Sequence, residues 1–342
     1  MKSTMSYFST SFIFTLVALV FCYFVAGIEG AFLAGVLGIL ETSLSMDNAV
    51  VNSTVLRDMD QVWRKRFLTW GMVIAVFGMR LVFPVLIVWA TSTLGLVESA
   101  VLPFKNPHLY ETTLTAAHVS IAGFGGTFLL MVFLKFFIDD SKEEHWVPFV
   151  ESVMVKAGRI EAVQIILALA VAAVVTLLLP AIDKMQFIQS AVWGIIAYLV
   201  VDGIGAIFES DETEGSVAAS VAKAGIASFL YLEMVDASFS FDGVIGAFAV
   251  TNNVILIALG LGIGAMFVRS LTLLMVDKNT LGTFRYLEHG AFWSIGVLAI
   301  CMFLGIVVDI PEVVTGLSAA VILGLALGHS VYANRKELAL AS

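Results

Sequence analysis

About ten apolar runs, each near the 20 residues needed to cross a bilayer, dominate this chain and leave it few ways to fold. They cover approximately 11–27, 30–55, 67–90, 115–138, 160–180, 188–208, 224–250, 254–276, 289–308 and 312–332. In hydrocarbon every backbone N–H and C=O must be satisfied within the protein, so runs of this length fold as helices. The composition agrees: 60% of the 342 residues are hydrophobic and 13% are charged, against roughly 25% charged in a soluble domain. The expected fold class is all-α, a polytopic transmembrane helix bundle. The first run, from Ser11 to about Gly27, has the length of a signal-peptide core, but the next span follows within a few residues, so it is read as a retained helix.

Charge sets an orientation. The strongest basic loop, Arg57 to Arg66, is placed in the cytoplasm by the positive-inside rule. Alternation then puts both termini inside. Of the 18 Lys and Arg, only Lys105 and Lys184 fall on the opposite face, and only Arg80 and Arg269 lie within spans. The acidic segments Asp139–His145 and Ser210–Gly215 read as solvated linkers, with a cation-attracting vestibule as the alternative. Cys22 and Cys301 sit in separate runs and suggest neither a disulfide framework nor a soft-metal site.

One stretch occurs twice. Glu41-Thr-Ser-Leu-Ser-Met-Asp47-Asn48-Ala-Val is matched by Asp236-Ala-Ser-Phe-Ser-Phe-Asp242-Gly243-Val-Ile. Carboxylates inside a membrane are costly, and the default reading of one is functional. Around the motifs, Gly71 precedes Arg80 by nine residues and Gly260 precedes Arg269 by nine, while His118 precedes Gly125 by seven and His289 precedes Gly296 by seven. The order acid, arginine, histidine therefore recurs. The first motif's span runs outside to inside and the second's runs inside to outside, which predicts an inverted-topology repeat of five spans plus five, or of the central three alone. The predicted divisions are 1–138 for spans one to four, 139–187 for the linker and span five, and 188–342 for the second repeat.

Helical spacing puts Glu41, Ser45, Asn48 and Asn52 on one face, with Ser43 and Asp47 beside it. Asp236, Ser240 and Gly243 share a face in the second copy, with Ser238 and Asp242 beside it, and Glu233 lies three residues ahead. Carboxylate, hydroxyl and amide oxygens suit hard divalent cations such as Mn²⁺, Mg²⁺ and Ca²⁺. Convergence of Glu41, Asp47, Asp236 and Asp242 with Arg80 and Arg269 would leave two net negative charges, which favour a divalent cation over an oxyanion. The alternative is that Asp47 and Asp242 are interior struts bridged to Arg80 and Arg269. The arginines are expected to orient or neutralise acids. His118 and His289 are either interfacial residues or ligands and proton carriers. Asp202 is a further intramembrane acid without a first-half counterpart. The glycines at 123, 125, 126, 260, 262 and 264 are expected to permit close helix packing.

The Glu41–Val50 stretch, with its Ser-Leu-Ser-Met-Asp-Asn core, resembles the signature of TerC-like integral membrane proteins, named for tellurium resistance, and the Asp-Asn-Ala-Val-Val-Asn run is closest to a divergent branch of that group. The second motif is looser, with Asp242-Gly243 in place of Asp-Asn. The resemblance implies membership of a wider superfamily of exporters, Mn²⁺ export across the bacterial cytoplasmic membrane, and metal-site roles for Glu41, Asp47 and Asp242. No cofactor, enzymatic activity or nucleic-acid partner is expected; the partners are the transported ion and the bilayer, and the pattern sets no oligomeric state. Two other function classes compete: a membrane anchor or sensor of a tellurite or envelope-stress complex, and an intramembrane aspartyl protease, which lacks a Gly-x-Gly-Asp at Asp242.

Overall fold

A computed structural model describes residues 4–71, 73–139, 144–160, 162–209, 217–308 and 310–341, with side chains within them except at 205–209, 217–224, 241–242, 312 and 338–341. Among the described residues all regular structure is helical. In chain order the elements are α1 (Thr4–Leu44), α2 (Met46–Asp58), α3 (Gln61–Arg66), two π-helical segments, π1 (Phe67–Gly71) and π2 (Ile74–Val82), α4 (Phe83–Thr91), α5 (Leu96–Lys105), α6 (Pro107–Ala116), α7 (His118–Ile138), α8 (Pro148–Ala157), α9 (Val163–Leu178), α10 (Ala181–Glu209), α11 (Val217–Phe248), α12 (Val254–Asp277), α13 (Thr280–Thr283), α14 (Leu287–Gly305) and α15 (Glu312–Ala341). Among the described residues, seven helices are long and apolar enough to cross a membrane. The chain is a multi-pass membrane protein, and each of the ten apolar runs coincides with helix.

α1 is not one rod. Ala26 (φ −140°) and Gly27 (φ 67°) leave helical geometry, and the chain doubles back there. A Cβ built on Gly35 would lie 3.7 Å from Leu19, whereas 16 residues of straight helix span about 24 Å. The positive φ at Gly27 is one that glycine adopts without strain. The two arms are the first two apolar runs, and both pack against α12. Ser11 donates to the Met266 carbonyl at 2.6 Å and sits 2.7 Å from the Ser270 hydroxyl, while Gly38 and Gly264 bring the second arm onto the same helix.

α7, α12 and α14 form the buried centre, and α1 and α15 lie at the periphery with large side chains such as Phe24, Ile28 and Leu325 exposed. α7 packs against both α10 and α14. On the first side Thr127 donates to the Ala191 carbonyl at 2.9 Å; on the second Phe136 stacks on Phe292 at 3.8 Å between centroids. The glycines act largely as expected, since a Cβ at Gly126 would overlap Phe303 and one at Gly260 would overlap Leu37. The segment that follows α7 is pinned by Glu151, a fully buried carboxylate. It accepts from the backbone N–H groups of Trp146 (2.9 Å) and Val147 (3.0 Å) and from the Trp293 indole (3.1 Å). The acidic loop residues 140–143 and 210–215 lie outside the described residues.

The third apolar run holds an unexpected feature, two π-helical stretches in place of α-helix. The Phe83 N–H reaches back to the Gly78 carbonyl, five residues earlier, and Pro84 next to it has no N–H to give to the Arg80 carbonyl. π-turns are rare and gather at functional sites; this one carries Arg80.

The α7–α10 contact sets a test. A Cβ at Gly194 would overlap the Phe124 carbonyl and the Thr127 hydroxyl, whereas Gly324 faces open space. Gly194→Val is expected to cost roughly 1–3 kcal/mol through overpacking, read as a lower thermal midpoint in detergent, and Gly324→Ala is expected to leave the midpoint in place.

Candidate functional site

The first motif lies where α1 hands over to α2. The helix is interrupted at Ser45 (φ −99°, ψ 23°), so the continuous helix expected from spacing is broken inside the motif. The Ser45 N–H still reaches the Glu41 carbonyl at 3.0 Å, and Glu41, Ser45, Asn48 and Asn52 retain their common face. All four line one cavity of about 30 Å³, completed by Phe67, Leu68, Gly71, Ala75 and Arg80 from the third run, Glu233 and Asp236 from α11, and Ala265, Val268, Arg269 and Thr272 from α12. A water needs roughly 10–15 Å³ by this kind of measure, and organic ligands need hundreds. The cavity is therefore the size of one ion with little hydration.

The two motifs share local geometry as well as sequence. Ser45 Oγ donates to Glu41 Oε1 at 3.2 Å, and Ser240 Oγ donates to Asp236 Oδ2 at 3.5 Å. The other serine of each motif turns to its own helix: Ser43 donates to the Ile39 carbonyl at 2.8 Å and Ser238 to the Met234 carbonyl at 2.9 Å. The leading acid and the serine four residues on thus form one unit in both copies.

The arginines behave differently from each other. Arg80 Nη2 meets Glu41 Oε1 at 2.5 Å, with both side chains almost wholly buried, and its other terminal nitrogen donates to the Ala75 carbonyl. Arg269 donates from Nε to the Leu68 carbonyl at 2.8 Å and has no carboxylate partner among the described residues. The alternative strut between Asp47 and Arg80 is not formed, because Glu41 takes that arginine. Three carboxylates and two guanidiniums line the cavity, which leaves one negative charge in excess. Both oxygens of Glu233 and the Oδ1 of Asn48 are buried without a hydrogen-bond partner, although buried polar atoms are nearly always paired. No group of three His, Cys, Asp or Glu side chains placed to hold a metal occurs among the described residues, so hydroxyl and amide oxygens would have to complete any coordination shell.

Asp47 does not join this cavity. It is buried, accepts the Asn48 N–H at 3.0 Å, and lines a second cavity of about 50 Å³ with Glu41, Ser45, Phe239, Gly243, Leu298 and Thr315. Glu41 and Ser45 belong to both and form the wall between them. The Asp242 side chain lies outside the described residues, although its neighbour Gly243 lines the second cavity. Ser240 is buried beside Asp236. Neither histidine lines either cavity: the His289 Nε2 sits 2.8 Å from the Glu144 carbonyl oxygen and 3.7 Å from Glu151, and His118 lies near Gly305 at the end of α14. Asp202 is half exposed and faces Lys135 at 3.7 Å.

Two glycines outside the motifs shape the cavity. A Cβ at Gly71 would stand 2.7 Å from Glu233 Oε1, and one at Gly264 would overlap the Glu41 side chain. In sequence Gly264 reads as a packing glycine and Gly71 only as a spacing match to Gly260; the fold shows that the space each leaves is taken by a carboxylate.

Removing Arg80 strands a buried carboxylate, so Arg80→Met is expected to destabilise by roughly 3–5 kcal/mol. The Glu41→Gln/Arg80→Met double variant should recover part of that loss. Unfolding in detergent measures both, and a double variant less stable than Arg80→Met would contradict the pairing.

Residues 46–337 match the family DUF475, described as a protein of unknown function. No curated protein and no solved structure matches the chain.

Proposed function

We propose that this chain, which belongs to the DUF475 family, is a transporter that exports a divalent cation, with Mn²⁺ favoured. The observation that carries this reading is the ion-sized cavity lined by Glu41 from the first motif, Asp236 from the second and Glu233 one turn ahead of it. Hard cations take carboxylate, hydroxyl and amide oxygens, and those are the groups present. The unpartnered oxygens of Glu233 and Asn48 support a cation as the missing partner, and the size of the cavity argues against an organic substrate. The resemblance to TerC-like exporters supports Mn²⁺ and the bacterial cytoplasmic membrane.

The matched packing of the halves supports an inverted repeat. α2 lies on α12 and α11 lies on π2, and α2 meets α14 as α11 meets α7. Such repeats rock about a central site to expose it alternately to each face. In this scheme Glu41 has two possible partners. A cation entering beside Glu233 and Asp236 competes with Arg80 for the Glu41 carboxylate, and a guanidinium and a divalent ion repel each other in a poorly hydrated space. Arg80 is then the internal counter-charge that keeps Glu41 neutralised when the cation leaves. Protons serve as the counter-ion, because a carboxylate that takes up a proton loses its hold on the metal. Asp47, in the adjoining cavity, and Asp242, one residue before Gly243, lie along the onward route.

A ligand that binds only the folded protein stabilises it by about 2.7 kcal/mol at one hundred times its dissociation constant. Purified protein titrated with Mn²⁺, Mg²⁺, Ca²⁺, Zn²⁺ and Co²⁺ is expected to show its largest thermal shift with Mn²⁺. Glu233→Gln and Asp236→Asn should lose that shift, and Asp202→Asn should keep it. In proteoliposomes Asp47→Asn and Asp242→Asn are each expected to abolish metal efflux while the protein stays folded; full efflux from either would remove that residue from the site.

A further inference from the structure

A surface cleft of about 520 Å³ lies on the outer side of the turn that closes the cavity, lined by Gln61, Val62, Lys65, Arg66, Thr69 and Trp70. These positions fall on two adjacent rows of one helical face, 61, 65 and 69 beside 62, 66 and 70. We propose that this cleft binds the headgroup of an anionic phospholipid.

The charges there are available. The acids of the same loop are already engaged, Asp58 with Arg57 at 3.2 Å and Asp60 with the Val62 N–H at 2.8 Å. Arg64 turns inward to the carbonyls of Arg57 (3.0 Å) and Met59 (3.3 Å) and closes the turn. Lys65 and Arg66 point outward, and among the described residues neither has a carboxylate partner within salt-bridge distance. The Arg66 guanidinium rests 4.5 Å from the centre of the Trp63 ring. That ring is lodged against Phe229 and above Gly225, where a Cβ would overlap it, so the cation is held in place rather than trailing in solvent.

The apolar edge is the second observation. Val62 is 57% exposed and Trp70 67% exposed, an arrangement that suits the level where headgroups meet acyl chains, where tryptophan concentrates. A soluble anion uses the two cations and gains nothing from Val62 and Trp70, whereas a lipid phosphate with its glycerol and first methylenes uses both. The cleft also lies one helical turn from the interior: Lys65, Arg66, Thr69 and Trp70 face outward while Phe67, Leu68 and Gly71 line the cavity.

The test uses the full-length protein in detergent, with bound lipid counted by native mass spectrometry. Wild type is expected to retain phosphatidylglycerol in preference to phosphatidylcholine. Two basic residues at an anionic surface are worth about 2 kcal/mol, so Lys65→Gln/Arg66→Gln should weaken retention roughly 30-fold. Trp70→Ala should weaken it less, and the charge-matched variant Lys156→Gln/Arg159→Gln, outside the cleft, should retain lipid as wild type does. Three results would overturn the proposal: equal retention of both lipids by wild type, equal loss in both double variants, or displacement of phosphatidylglycerol by millimolar inorganic phosphate, which would make the cleft a general anion site. None of these readouts depends on whether the protein transports a cation.

Discussion

The structure turns on a carboxylate and a guanidinium placed in contact where neither has water. Glu41 and Arg80 are each almost completely buried, and either alone would carry an uncompensated charge in a medium that tolerates none. Several other features serve that contact. Gly264 leaves room for the Glu41 side chain, Ser45 steadies the same carboxylate oxygen, and the π-helical stretch brings Arg80 inward with the Ala75 carbonyl as its second acceptor. The pair also joins α1 to the third run, with Glu41 lining both cavities and Arg80 the first.

Duplication appears at the level of single hydrogen bonds. In both motifs the leading acid holds the serine one turn later, and the intervening serine returns its proton to its own helix. What differs is the arginine: Arg80 is bound to an acid and Arg269 to a main-chain carbonyl. Two copies of one design therefore meet in a cavity whose walls are not electrostatically equivalent.

Much of this can be read from residues alone, for identifiable reasons. Spans follow from length and hydropathy, and the shared face of Glu41, Ser45, Asn48 and Asn52 follows from the pitch of a helix. Both are properties of local chain. Partnership across helices is not. Nothing in the spacing says that Arg80 meets Glu41 rather than Asp47, because that depends on the relative height and rotation of two packed helices, and the interruption at Ser45 alters the rotation by an amount no periodicity encodes. His118, His289 and Asp202 illustrate the same limit. Their recurrence or their depth in a span is visible in the sequence, but what each meets is set by neighbours, and none of the three lines either cavity. The reversal at Gly27 is suggested by the gap between two runs, while the arms' grip on α12 has no local signature.

That grip has a mechanical consequence. α12, from the later part of the sequence, carries Arg269 and packs against both arms of the N-terminal hairpin, with the Ser11–Ser270 contact as a rivet. In the rocking scheme proposed above, α12 therefore travels with that hairpin, and each moving block combines early and late chain.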